Sequence, residues 1–90
     1  MKVHVIKYRY TIAEMDGFDV VGVYFDYDKA CLEMARHMKQ VYDRCVEHYG
    51  DRFDSDFEMN GENYISFGFY GKGYWCDHVW RAVVDTMEVE

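Results

Sequence analysis

The side chains able to do chemistry in this chain fall into a few close groups. Cys45 and His48 stand three residues apart, and Cys76 and His78 flank Asp77. Cysteine and histidine in this number are the kinds of ligand that hold tetrahedral zinc. Two features oppose that reading. Cys45 falls on the apolar stripe of a predicted helix, where a cysteine packs as a small hydrophobe. Cys76-Asp77-His78 lacks the two-to-four-residue gap of a zinc knuckle. Nucleophilic catalysis has no better footing: Ser55 and Ser66 sit in strand-like alternation without an activating motif. Glu33 and His37 are one helical turn apart on a predicted solvent face, which makes them a surface pair rather than a base with its orienter. Gly71-Lys72-Gly73 is too short to cradle a phosphate. The chain is therefore expected to be no enzyme and to carry no metal or cofactor.

Two longer patterns match known motifs in part. Asp56-Phe57-Glu58-Met59-Asn60-Gly61 resembles the opening of an EF-hand loop, with oxygen ligands at alternate positions and glycine at the sixth. The twelfth position requires a bidentate glutamate and is Phe67, so calcium is not assigned. Ser66-Phe67-Gly68-Phe69 resembles part of the aromatic core of the RNP1 motif of RNA-recognition domains. Its leading basic residue is replaced by Ile65, and core-facing aromatics on a strand account for it better.

What remains is recognition of another protein. Tyr70, Tyr74 and Trp75 flank the Gly71-Lys72-Gly73 turn, and Tyr and Trp are the residues that dominate interface hot spots; the alternative is that they cap the core. Asp51, Asp54, Asp56, Glu58 and Glu62 stand against Arg52 alone between residues 51 and 62. Closely spaced carboxylates on one rim imitate nucleic-acid phosphates and so fit a basic groove. A merely solvated acidic loop is the plainer reading of the same residues.

These groups must be positioned by a small number of elements. Residues 2 to 12 are β-branched and aromatic and predict a strand. Met15-Asp16-Gly17 predicts a turn, and Phe18 to Phe25 a second strand, giving a hairpin with its loop near residues 13 to 17. Asp26 is a helix N-cap. From Tyr27 to Tyr49, Ala30, Cys31, Met34, Ala35, Met38, Val41, Tyr42, Cys45, Val46 and Tyr49 form one apolar stripe at three-and-four spacing. Glu33, Arg36, His37, Gln40, Asp43, Arg44 and Glu47 form the opposite face, and Gly50 ends the helix. Arg52 to Met59 alternates apolar and acidic residues, and Asn60-Gly61 predicts a two-residue type I′ turn. That turn would pair Phe57 with Tyr64 and place Ile65, Phe67 and Phe69 on the side of the acids. Either a bulge shifts the register or residues 51 to 58 are irregular; a short or ragged edge strand with its acids in solvent is expected. Residues 74 to 90 fit a helix capped by Asp77 or, on propensity, a strand, and the strand is preferred. The order ββαβββ, or ββαββα, makes a two-layer α+β sandwich with the long helix on one face of an antiparallel sheet.

Composition sets the frame. Ninety residues, half of them hydrophobic, make one domain over residues 1–90 with an ample core. No apolar run reaches the roughly 18 residues of a membrane span, and Lys7 and Arg9 interrupt any signal-like segment; a soluble, cytoplasmic protein is expected. Cys31 and Cys45 lie about 21 Å apart along one helix, too far for a disulfide, and free thiols fit a reducing compartment. The net charge is −7, which opposes direct nucleic-acid binding. The helix is neutral: four acids balance Lys29, Arg36, Lys39 and Arg44. Residues 1 to 13 carry Lys2, Lys7 and Arg9 with no acid. The excess therefore sits on the strands and loops, where a polarised surface steers a partner.

The run Val20-Val21-Gly22-Val23-Tyr24-Phe25-Asp26-Tyr27-Asp28-Lys29-Ala30 resembles the hairpin-to-helix junction of small phage and prophage domains, over roughly residues 2 to 38. Asp26 stands where serine is often found, and preserves the cap. The resemblance implies an inhibitor of host defence, anti-CRISPR proteins being one such class, and carries over no catalytic residue. The expected function is a non-enzymatic inhibitor that occludes a basic, nucleic-acid-handling host protein through Asp51, Asp54, Asp56, Glu58, Glu62, Tyr70, Tyr74 and Trp75. The alternatives are a metal- or ligand-binding accessory domain using Cys45, His48, Cys76 and His78, and a self-assembling structural protein, with a homodimer possible.

Overall fold

The computed structural model describes residues 1–12, 15–50, 53–71 and 77–89. Its element order is β1 (Lys2–Ile12), β2 (Met15–Tyr24), α1 (Tyr27–Tyr49), β3 (Phe53–Met59), β4 (Tyr64–Gly71) and β5 (Asp77–Glu88). The strands form one antiparallel sheet in the order β2-β1-β5-β4-β3. The helix packs on one face of it, so the chain is an α+β two-layer fold of the ββαβββ kind. The C-terminal segment is a strand, and it fills the centre of the sheet between β1 and β4. No helix among the described residues is long and apolar enough to cross a membrane.

The helix begins where Asp26 accepts hydrogen bonds from the backbone N–H groups of Asp28 and Lys29, at 2.9 and 3.3 Å. It ends at Gly50, whose φ of 55° is costly for residues with a Cβ. Its stripe buries Ala30, Met34, Met38, Val41 and Cys45 against Ile6 of β1, Ile65, Phe67 and Phe69 of β4, and Trp80, Ala82 and Val84 of β5. Phe67 stacks on Trp80 with ring centroids 5.1 Å apart and meets Tyr42 of the helix edge-on at 5.2 Å. Each fully buried large apolar side chain contributes about 1.5–3 kcal/mol.

Four local expectations are corrected. Met15, Asp16 and Gly17 belong to β2 rather than to a turn, and pairing with β1 runs out to Ile12 and Met15. Cross-strand contacts outweigh turn propensity there: the Thr11 hydroxyl donates to Asp16 Oδ1 at 2.8 Å, and the Tyr10 ring lies where a Cβ on Gly17 would be. Residues 53 to 59 form a regular strand of seven residues, not a ragged one. The connection from β3 to β4 spans residues 60 to 63 instead of two, so Phe57 pairs with Phe67 and Met59 with Ile65. Gly61 still supplies the positive φ, 81°, that Asn-Gly announces. The longer loop removes the register conflict, because it turns Ile65, Phe67 and Phe69 to the helix and leaves Asp56 and Glu58 on the other side. Burial of three large side chains outweighs the advantage of the tightest hairpin turn. Lastly, His37 does not stand with the solvated face of the helix. It packs edge-on against Tyr8 with ring centroids 4.8 Å apart, while Glu33 pairs instead with Arg36 at 2.9 Å.

Candidate functional site at the β3 edge

β3 is an edge of the sheet, so one side of its backbone offers unpaired N–H and C=O groups. The strand alternates, and its two sides differ in chemistry. Phe57 and Met59 point to the helix side but lie beyond most of the helix's cover, 50% and 59% exposed. Phe57 is held edge-on by Tyr42 at 5.7 Å and lies parallel to Phe67 at 6.3 Å. Asp56 and Glu58 point to the other side and are exposed. The strand thus presents two exposed apolar side chains, two carboxylates and a free backbone edge within a few residues.

Of the acids singled out in the sequence, Asp54 lies in β3 opposite Tyr70, and Glu62 is exposed in the β3–β4 loop. Asp51, Tyr74 and Trp75 lie outside the described residues. Tyr70 is half-buried on β4 and joins the acidic rim directly: its hydroxyl donates to Asp56 Oδ2 at 3.2 Å. The Gly68 N–H donates to Asp56 Oδ1 at 3.1 Å. Both oxygens of one carboxylate are therefore held, which fixes Asp56 against the strand. Gly68 permits this, because a Cβ there would stand 2.5 Å from the Tyr70 hydroxyl oxygen.

The other expected groups are not brought together as sites. Asp56 and Glu58 project from a strand, not from a calcium loop. Phe67 and Phe69 are 1% and 2% exposed beneath the helix, so neither can stack a nucleic-acid base. Of the four zinc candidates, Cys76 lies outside the described residues. His78 is buried and stacks on Tyr49 at 5.2 Å. Among the described residues no group of three or more His, Cys, Asp and Glu could hold a metal ion.

One constellation was not visible in the sequence. A shallow cleft of about 370 Å³ between helix and sheet is lined by Tyr8, His37, Arg44, Cys45, His48 and Tyr49, among others. Burial pushes the Tyr8 hydroxyl up to about 12 and the Cys45 thiol up to about 11. Burial, and secondarily the Arg44 charge, holds His37 below its ordinary value. His37 Nε2 is buried with no hydrogen-bond partner among the described residues. All three groups are thus held neutral. A thiol kept protonated at neutral pH is a poor nucleophile and a poor metal ligand. The sequence signal for this cleft is faint, since Tyr8 and His37 meet only through the sheet-to-helix packing.

No protein-family model, curated protein or solved structure matches this chain.

Proposed function

We propose that this chain is a non-enzymatic binding protein that occludes a basic surface of another protein through its β3 edge. The observation that carries the reading is the composition of that edge: Asp56 and Glu58 on one side, exposed Phe57 and Met59 on the other. Carboxylates at strand spacing steer a basic partner and set the register. The two apolar side chains supply area that becomes dry on contact, and the free backbone edge can accept an added strand. Asp51, Asp54 and Glu62 extend the acidic run. Tyr70 stands opposite Asp54, and Tyr74 and Trp75 follow it in sequence. The phage-type resemblance supports a nucleic-acid-handling host defence protein as the partner, met in the host cytoplasm, with the acidic rim standing in for phosphates.

The test uses the protein as bait in a bacterial lysate at low and high salt, beside a variant with Asp54, Asp56 and Glu58 changed to Lys. The expected result is a basic protein retained at low salt, released at high salt, and absent with the variant. The wild-type protein should then displace nucleic acid from the purified partner. Equal retention by the two baits, or a partner that still holds its nucleic acid, overturns the proposal.

A further inference from the structure

The face of the sheet opposite the helix carries a charge order that no other element explains. One row of side chains crosses all five strands at a single level: Phe18, Arg9, Arg81, Ser66 and Glu58 are successive cross-strand partners from β2 to β3. Arg9 and Arg81 are directly opposite one another and exposed. Like charges so placed destabilise a sheet unless an anion relieves them. Neither guanidinium makes an ion pair among the described residues, although Arg9 lies over the Phe18 ring at 5.5 Å. The neighbouring Lys7 is already paired with Asp85 at 2.7 Å. Depressions of about 420 and 490 Å³ lie on the two sides of the arginine pair. Around them the face is apolar: Val79 and Val83 are half-buried on β5, and Val20, Val23 and Met87 are 46%, 58% and 47% exposed. Arg9 and Arg81 thus stand on β1 and β5 and Asp56 and Glu58 on β3, with β4 between them, while Asp85 is paired with Lys7 and Asp16 of β2 accepts from Thr11.

We infer that this face is covered by a second copy of the chain, related by a two-fold axis that runs along the strands between β5 and β4. Such an axis keeps each residue at its own level and exchanges β1 with β3 and β5 with β4. Arg9 of each copy then stands over Glu58 of the other, and Thr11 over Asp56. Val83 stands over Tyr64, and Val79 over Gly68, where the Tyr70 hydroxyl covers the backbone, so the arginine row has an apolar contact on one side and a hydroxyl on the other. Because the contact is isologous, the Arg9–Glu58 pair occurs twice. An axis on β5 itself would instead set Arg81 against Arg81. The overlap is limited by β3 and β4, seven and eight residues long, so the four strands make a face of roughly 20 by 25 Å, about 500 Å² per copy. That lies just below the size of a standard specific interface, about 600–1,000 Å² per partner, and in the range of weak, transient contacts, so the expected dimer is a weak one. Open antiparallel sheets pack face to face in this aligned manner.

A charge swap tests it. The wild-type chain should show a concentration-dependent dimer by light scattering and sedimentation, weakened by salt. Arg9→Glu and Glu58→Arg should each raise the dimer dissociation constant by roughly a hundredfold, since each breaks two symmetry-related pairs. The double variant, Arg9→Glu with Glu58→Arg, should return to within about threefold of wild type. Both residues are exposed, so the fold, followed by circular dichroism, should persist in all three. A wild-type chain that stays monomeric, whether or not it takes up a free anion at the arginines, overturns the inference. So does a double variant as weak as the singles. Light scattering needs no partner protein, so this result is independent of the binding proposal above. Conversely, Arg9→Glu leaves every β3 residue in place and still reports on partner capture.

Discussion

Phe57 and Phe67 are cross-strand partners on the same side of the sheet, yet they should respond very differently to truncation. Phe67 is 1% exposed and contacts Trp80, Tyr42, Phe69 and Phe57. Phe67→Ala removes a full aromatic from a closed core and should cost about 3–5 kcal/mol. A 90-residue domain has roughly 5–13 kcal/mol in total, so this variant should sit near the edge of folding. Phe57 is 50% exposed. Half the burial of a phenylalanine is worth about 1 kcal/mol, and its contact with the Tyr42 ring adds about 0.5–1 kcal/mol. Phe57→Ala should therefore cost about 1–2 kcal/mol, a fall in melting temperature of roughly 5–15 °C for a domain of this size. Urea titration followed by circular dichroism measures both, with the slope unchanged in each variant. Equal costs for the two variants, within about 0.5 kcal/mol, would refute the reasoning. Phe57 would then be part of the core, and the β3 edge would lose the apolar half of its proposed binding chemistry.

Two further predictions follow from local structure. Asp26→Ala removes the acceptor for two backbone N–H groups and should lower stability by about 1 kcal/mol, whereas Asp26→Ser should lower it by a few tenths at most, both read by urea titration. Stability should be flat between about pH 6.5 and pH 9, the ordinary values of His37 and Cys45, in thermal melts across pH. Below that window the unfolded chain protonates His37 more readily than the folded one, so stability falls as pH drops; above it the unfolded chain ionises first at Cys45 and then at Tyr8, so stability falls as pH rises toward about 11 and 12. His37→Gln should flatten the acid limb, and no change there would remove His37 as its cause.

The helix was legible because three independent signals coincide over residues 26 to 50: a cap, a stripe of period 3.6 and a terminal glycine. The antiparallel α+β class followed from that helix and the β-rich segments around it. The β3–β4 register was not legible. Asn60-Gly61 is a local signal for a two-residue turn, while the burial of Phe67 and Phe69 is a tertiary quantity that only the packed helix reveals; the two differ in register by an odd number of residues, which exchanges the faces of the strand. Met15-Asp16-Gly17 misled for a related reason, since turn residues that find a cross-strand partner, as Asp16 finds Thr11, sit well enough in a strand. At the candidate site, the acidic run itself is plain in the sequence. The fixing of Asp56 by Tyr70 and Gly68 depends on register, and so became visible only with the fold.

The charge polarity along the chain acquires a different meaning once the strand order is known. Basic β1 and acidic β3 lie at opposite ends of the sequence's first two-thirds, and the sheet sets them on one face, two strands apart, with β5 contributing Arg81 between them. The two proposals therefore share a residue. Glu58 faces a basic partner in one and the second copy's Arg9 in the other, so the two contacts compete. Competition of this kind is reciprocal: a partner that needs the β3 rim should split the dimer, and raising the protein concentration above the dimer constant should weaken apparent partner affinity. Arg9→Glu removes the competitor without touching the rim. Its apparent partner affinity should then exceed that of the wild-type chain at high protein concentration and equal it at low concentration. If the variant and the wild type bind alike at every concentration, the shared role of Glu58 fails even where dimer and partner complex each exist.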